Sequence, residues 1–185
     1  VKIASLDGNR EKYIKEAEKL ISITKKKKIN NHKIPILKKA FHEETLNEIN
    51  SLIKHFESMS EYVKACFLGT IALTARGCNQ YKWTSSTVGK DIQPKQYICF
   101  YEKFLNKVKK HIYDNKTTKR SQVYLHDSRK ITELLSDNSI DYVFTSPPYF
   151  DALDYTAYYG QIVYELLGIQ RLDIKRDLIQ KVNTY

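Results

Sequence analysis

Two consecutive prolines directly after an apolar run place the strictest local limit on how this chain can fold. Residues 140–144, reading IDYVF, have the β-branched and aromatic character of a buried strand. The pair Pro147-Pro148 has no backbone N–H, and it therefore cannot continue the hydrogen-bonded ladder of a sheet. The sequence predicts a strand that ends near Thr145.

The residues after this predicted strand combine a hydroxyl, a carbonyl and an aromatic ring. Because proline fixes its own φ and restricts the residue before it, Ser146 and Pro147 are both directed toward extended geometry. Tyr149 adds a flat ring two residues later. Such a set suits a planar base: its amino hydrogens donate to the Ser146 hydroxyl and the Pro147 carbonyl, and its ring stacks on Tyr149. An ordinary strand-ending turn with two prolines is the alternative.

A second strand, an acidic turn and a helix are predicted just upstream. Val123 to Leu125 is a short apolar run, His126-Asp127-Ser128 follows it, and apolar residues then recur at helical spacing. An acidic residue at the C-terminal end of a strand in an open α/β sheet lies where ligands bind, and Asp127 could accept a hydrogen bond from an adenine amino group. The alternative is that Asp127 or Ser128 is the N-cap of the following helix, and both roles are compatible.

The segment TSPPY at residues 145–149 resembles motif IV of the amino-directed DNA methyltransferases, in which Asp, Asn or Ser precedes Pro-Pro and an aromatic residue. The serine form is similar to that of the cytosine-N4 enzymes, whereas adenine-N6 enzymes more often have Asp or Asn. The resemblance covers about residues 120–170, including HDSR and SIDYVF upstream. It implies an α/β fold, with part of a Rossmann-like methyltransferase sheet in the C-terminal third, and it implies S-adenosylmethionine as cofactor and DNA as partner.

The same resemblance implies roles for individual residues. The catalytic motif would be Ser146, Pro147, Pro148 and Tyr149. Beside Tyr149, the base pocket would include Phe150, Asp154 and Tyr155. The cofactor would be contacted by Asp127, Ser128 and Thr145. Core packing and helix capping are the alternative roles for Asp154 and Tyr155.

Charge and cysteine content narrow the class of protein. The 31 Lys and Arg against 21 Asp and Glu give a net charge of +10, which favours a polyanionic partner such as nucleic acid, although a lysine-rich composition without binding meaning is the alternative. Cys66, Cys78 and Cys99 lack the spacing of a disulfide framework or a zinc site, and no metal is expected. Without a long apolar run or a signal-peptide pattern, we expect a cytoplasmic protein.

Helical periodicity dominates the first part of the chain. Apolar residues recur at helical spacing in residues 10–24, 43–56, 61–75 and 97–113, and the third of these is apolar nearly all round, which predicts a buried helix. A further helical stripe in residues 151–168 ends at Gly168, and a short helix is predicted at 173–182. We therefore divide the chain into a helical region, 1–115, and a partial methyltransferase core, 116–185.

No complete glycine-rich cofactor loop is found in the sequence. The stretch FLGTI at residues 67–71 has Ile71 where the second glycine of FxGxG would stand, and no strand is predicted before it. The chain also begins at Val1, and its single methionine is Met59. We therefore expect it to be part of a longer methyltransferase, and its activity alone is left open.

The leading hypothesis from the sequence is a DNA methyltransferase that transfers a methyl group from S-adenosylmethionine to the N4 amino group of cytosine. Adenine-N6 methylation is the first alternative, because both amino targets need the same geometry. A non-catalytic DNA-binding or assembly module that retains the motif is another, and RNA methylation is a further rival. The DNA sequence recognised, a restriction-modification partner and the oligomeric state are left open.

Overall fold

The computed structural model describes residues 10–25, 37, 40–75, 97–110, 122–124, 126–146, 156 and 160–177. In this part of the chain the regular elements are helical. The α-helices are α1 (Arg10–Lys25), α2 (Glu43–Ile53), α3 (Glu61–Thr74), α4 (Phe100–Lys110), α5 (Gln161–Leu167) and α6 (Arg171–Asp177). Two 3₁₀ helices span Phe56–Ser58 and Ser128–Glu133. Helices α1 to α4 correspond to the helices predicted in residues 10–24, 43–56, 61–75 and 97–113, while the predicted boundary at residue 115 lies outside the described residues.

Helix α3 is the centre of the core, as its all-round apolar sequence predicts. Its Phe67 ring meets the Phe100 ring of α4 edge-on, with centroids 5.3 Å apart. Near the start of α3, the Tyr62 hydroxyl donates to the Val108 carbonyl near the end of α4, at 2.8 Å. Because early α3 pairs with late α4 and the reverse, the two helices run antiparallel. The buried residues of α3 are Tyr62, Val63, Cys66, Phe67, Thr70, Ile71 and Thr74.

Helix α1 packs across the α3–α4 pair. Tyr13, Ala17 and Ile21, spaced four residues apart on one face, are buried. The Tyr13 ring lies 4.9 Å from that of Tyr62, centroid to centroid. The carboxylate of Glu16 accepts a hydrogen bond from the backbone N–H of Ser60, just before α3, at 2.7 Å. This apolar stripe and its polar edge fix α1 against the beginning of α3.

Helix α5 ends where the sequence predicts. Gly168 has φ 69°, in the left-handed region that glycine adopts without a steric penalty. The N–H of Ile169 then donates to the Tyr164 carbonyl at 2.9 Å, which satisfies an acceptor left open by the end of the helix. Ile162 is buried and joins α5 to the core of the helical region.

The prediction of a Rossmann-like sheet in the C-terminal third is wrong for the described residues. Residues 122–124 and 140–146 form no strand, and the latter are exposed throughout. The apolar, β-branched character of residues 140–144 is a side-chain property, whereas a strand needs a neighbour for its backbone N–H and C=O groups. Within the described chain no such neighbour is present, and the only regular element between residues 122 and 146 is the 3₁₀ helix.

Candidate functional site

Asp127 caps the 3₁₀ helix that follows it. The backbone N–H of Arg129 donates to Oδ1 at 3.0 Å, so the capping alternative for Asp127 is confirmed. The Arg129 guanidinium also donates to the same carboxylate, with Nε 3.0 Å from Oδ1 and Nη2 2.6 Å from Oδ2. Both carboxylate oxygens therefore already accept hydrogen bonds from one residue. Contact of Asp127 with a cofactor stays a prediction.

The charge of Asp127 is fixed by this pairing. Hydrogen bonds from the Arg129 side chain, and then from its backbone N–H, lower the pKa of Asp127 to about 2. The carboxylate is therefore ionised at neutral pH and acts only as an acceptor. Ser128, the other predicted cofactor contact in this turn, is the first residue of the 3₁₀ helix and is exposed.

His126 and the 3₁₀ helix form a second local contact. Nε2 of His126 lies 3.0 Å from the Lys130 carbonyl and 3.5 Å from a carboxylate oxygen of Glu133. The carbonyl contact requires a proton on Nε2, because a carbonyl oxygen only accepts. Together with the Asp127 cap, this contact holds residues 126–133 in one compact turn.

A tight turn separates the 3₁₀ helix from the predicted motif. Asn138 has φ 57°, a left-handed conformation that asparagine tolerates better than most residues. The Ser139 N–H and hydroxyl both donate to the Ser136 carbonyl, at 3.3 and 2.7 Å. The chain therefore reverses here before it enters residues 140–146.

Residues 140–146 lie on the surface. Phe144 is 86% exposed and Tyr142 is 81% exposed, values that are unusual for large apolar side chains. The hydroxyls of Thr145 and Ser146 belong to exposed residues and are therefore accessible. Burial of Ser146 away from solvent would have contradicted its predicted role, and Ser146 is exposed.

The other predicted site residues cannot be placed. Pro147, Pro148, Tyr149, Phe150, Asp154 and Tyr155 lie outside the described residues. The structure therefore brings together Asp127 and Ser128 in one turn and Thr145 and Ser146 in one exposed segment. It does not test whether these two pairs share a site with the remaining predicted residues.

A cleft of about 610 Å³ lies on the helical region, between the end of α1, the start of α2 and the residues leading into α4. At its inner side, Glu48 accepts hydrogen bonds from the backbone N–H of Phe100 at 2.6 Å and of Tyr101 at 3.4 Å. The Tyr97 hydroxyl donates to the same carboxylate at 2.6 Å. Glu48 thus caps the N-terminus of α4, where a negative charge is stabilised by the helix dipole.

This cleft is poorly suited to acid–base chemistry at neutral pH. Burial, followed by the hydrogen bond to Glu48, raises the pKa of Tyr97, so its phenol stays protonated and cannot serve as a base. The Glu48 carboxylate is occupied by its capping donors. No local sequence pattern indicates this arrangement, because Glu48 and Phe100 are 52 positions apart.

No family model, curated protein or solved structure matches this chain.

No group of three or more His, Cys, Asp and Glu in the described part of the chain could hold a metal ion. None of the helices described above is both long and apolar enough to cross a membrane. Among the predicted site residues that are described, Asp127 is an ionised acceptor paired with Arg129, and Thr145 and Ser146 are exposed.

Proposed function

We propose that this chain supplies the base-binding motif of a DNA amino-methyltransferase, with cytosine N4 as the methyl acceptor and S-adenosylmethionine as the donor. The proposal rests on the sequence TSPPY at residues 145–149. The exposed hydroxyl of Ser146 supports it, because a base acceptor must be reachable by its ligand. The net charge of +10 favours a nucleic acid as the molecule that carries the base.

The proposed chemistry starts from the weakness of an aromatic amino group as a nucleophile. Its lone pair is conjugated with the ring, so methyl transfer requires the nitrogen to become tetrahedral. If the amino hydrogens donate to the Ser146 hydroxyl and the Pro147 carbonyl, the lone pair is freed to attack the methyl group in line. The methyl–sulfur bond of the donor would break as the nitrogen–methyl bond forms, the neutral thioether would leave, and the nitrogen would then lose one proton to solvent. The base must leave the helical stack to reach these groups, and the Tyr149 ring would replace its lost stacking partners.

A further part of the proposal is that the motif works only when additional polypeptide covers residues 140–144. Large side chains here are mostly exposed, including Val143 at 74% and Phe144 at 86%. Exposed apolar surface of this density usually marks a contact with another protein surface. We expect the rest of a longer methyltransferase chain, which would also supply the glycine-rich cofactor loop. The same proposal places the protein in the cytoplasm, where the free thiols of Cys66 and Cys99 would stay reduced.

Methyl incorporation into DNA tests the proposal. The chain alone, and any longer polypeptide that contains it, would be incubated with duplex DNA and radiolabelled S-adenosylmethionine, and the methylated nucleosides identified by mass spectrometry. We expect N4-methylcytosine. N6-methyladenine would instead establish the adenine alternative, and the absence of both incorporation and cofactor binding in every sample would contradict the enzyme proposal.

A serine variant tests the role of the motif itself. Ser146→Ala removes one site hydrogen bond, worth about 1–3 kcal/mol, and should lower turnover by about 5- to 150-fold while DNA affinity changes little. The matched control is Ser22→Ala, since Ser22 is an exposed serine of α1 whose hydroxyl donates to the Lys19 carbonyl of the same helix. Equal turnover in the Ser146→Ala variant and the parent would exclude Ser146 as an amino-group acceptor.

One observation favours the non-catalytic alternative, a DNA-binding or assembly module that retains the motif. The oxygens of Asp127 already accept hydrogen bonds from Arg129, so an adenosine amino group would have to compete for them. Titration of S-adenosylmethionine into the longer polypeptide separates the two functions. DNA binding without any cofactor binding would favour the module.

A further inference from the structure

Three lysines follow one flank of α4. Lys103, Lys107 and Lys110 are spaced four and three residues apart, so their side chains project from the same side of the helix. Lys103 and Lys110 are exposed, and Lys107 is partly buried. We call these residues the α4 lysine stripe. It extends for about 10 Å along the helix axis, at about 1.5 Å per residue.

The stripe borders a part of α3 that carries no charge. The stem of Lys107 passes close to Gly69, where an added Cβ would lie 2.6 Å from its Cε. From residue 65 to residue 74, α3 reads ACFLGTIALT, without an acid or a base. Residues 65–74 of α3 therefore contribute no negative charge that would repel an approaching anion.

The acids near the start of α3, at one end of this surface, are already paired. Lys64, near the start of α3, contacts Glu61 at 3.3 Å and Glu57 at 3.5 Å. Among the described residues, Lys103 and Lys110 form no ion pair. By contrast, Lys109 on a different flank of α4 contacts Glu18 of α1 at 3.6 Å. The charges of Lys103 and Lys110 are therefore available to an external partner, whereas that of Lys109 is partly neutralised.

We propose that the α4 lysine stripe binds the phosphate backbone of duplex DNA. Phosphates of one strand follow one another at about 3.4 Å along the duplex axis, so the length of the stripe matches about three phosphate steps. Lysine ammonium groups neutralise phosphates as point charges and read no base sequence. The stripe would hold the duplex without specifying its sequence. This inference rests on the proposed function only in the choice of DNA as the polyanion.

Neutralisation of two lysines tests this inference in the complete chain. Lys103→Gln/Lys110→Gln would be compared with the parent for binding to a labelled duplex of about 20 base pairs, by fluorescence anisotropy at several salt concentrations. Each lost phosphate contact should reduce the slope of log affinity against log salt by about 0.9, which is about eightfold in affinity at 0.1 M salt. The double variant should therefore bind about 60-fold more weakly at that salt concentration.

Two controls separate a contact surface from general charge and from loss of folding. Lys109→Gln removes one positive charge from the same helix and should bind within about twofold of the parent, because its partner is Glu18. Lys103→Arg/Lys110→Arg keeps both charges and should retain the parent affinity and slope. Thermal melts of each variant, followed by circular dichroism, would show that α4 remains folded.

Several results would overturn the inference. The first is an unchanged DNA affinity and salt slope in the Lys103→Gln/Lys110→Gln variant. The second is a loss of DNA affinity in Lys109→Gln as large as that in the double variant. The third is stripe-dependent binding to vesicles of anionic lipid that is tighter than binding to the duplex. The measurement needs no methyl transfer and no S-adenosylmethionine. A negative methyl-incorporation assay would therefore not contradict DNA-backbone binding by the α4 lysine stripe. A negative DNA-binding assay would likewise not contradict the base-binding motif, which is tested by methyl incorporation.

Discussion

Replacing Glu48 by alanine should reveal how strongly the helical core depends on one long-range cap. The half-buried carboxylate accepts hydrogen bonds from two backbone N–H groups, those of Phe100 at 2.6 Å and Tyr101 at 3.4 Å. It also accepts one from the Tyr97 hydroxyl at 2.6 Å. Glu48→Ala leaves these donors, and the Cys99 thiol that also donates to the carboxylate at 3.8 Å, without this acceptor.

The expected loss of stability follows from these contacts. Loss of a helix cap costs about 0.5–2 kcal/mol, and a hydrogen bond to a charged group contributes about 1.5–3 kcal/mol. The two N–H groups belong to one cap, so we count their contribution to stability once. Because the Tyr97 side chain is partly exposed, we add only part of the free energy of its hydrogen bond to Glu48. The unfolding free energy should fall by about 2–3 kcal/mol, which lowers Tm by about 5–10 °C in a chain of this size.

Urea and thermal unfolding, followed by far-ultraviolet circular dichroism, would measure this effect. Glu48→Gln keeps one oxygen acceptor without the charge and should show about half of the loss. The matched control is Glu165→Ala, because Glu165 is an exposed residue of α5, and it should stay within about 0.5 kcal/mol of the parent. A Glu48→Ala variant that melts like the Glu165→Ala control would refute the capping argument.

Two further outcomes follow from the described contacts. Carboxyl NMR titration should give Asp127 a pKa of about 2, and Arg129→Gln should return it toward the ordinary value of 3.8. Since the pKa of Asp127 is lowered in the folded state, this pair stabilises the fold at pH values above the pKa of the unfolded state, and the stabilisation is lost as the pH falls toward 2. An Asp127 pKa that does not change in Arg129→Gln would contradict the pairing. Asn50 is only 5% exposed, and neither the nitrogen nor the oxygen of its side-chain amide has a hydrogen-bond partner in the described chain. Asn50→Leu should therefore leave stability unchanged or raise it by about 1 kcal/mol in urea unfolding, whereas Asn50→Asp should lower it; destabilisation by leucine would reveal a partner for the amide.

The helices could be predicted from the sequence because their burial pattern is local. Apolar residues at helical spacing in residues 10–24 and 43–56 correspond to α1 and α2, and the all-round apolar sequence of 61–75 corresponds to the buried α3. A helix satisfies its own backbone hydrogen bonds, so sequence periodicity and burial are enough to locate it. The end of α5 was also predictable, because Gly168 adopts the left-handed conformation that favours glycine.

The predicted strands failed for the opposite reason. A strand depends on hydrogen bonds to a neighbour that can lie anywhere in the chain, or in another chain. The sequence of residues 140–144 indicates only that these side chains suit a pleated, buried surface. In the described structure the residues are exposed. Glu48 illustrates the same limit among polar residues, since no local pattern links it to the start of α4, 52 residues away.

The proposed cofactor contact of Asp127 is compatible with its observed capping role because of the geometry of its carboxylate. The cap needs only the bond from the Arg129 N–H to Oδ1, whereas the guanidinium donates to both oxygens. A carboxylate has about four lone-pair sites, so displacement of the guanidinium would free acceptors without breaking the cap. The ion pair is exposed, with 64% of the Arg129 side chain accessible, and exposed pairs of this kind contribute little to stability. An adenosine amino group would therefore compete with a weak contact, and the 3₁₀ helix would keep its first hydrogen bond while the ligand binds.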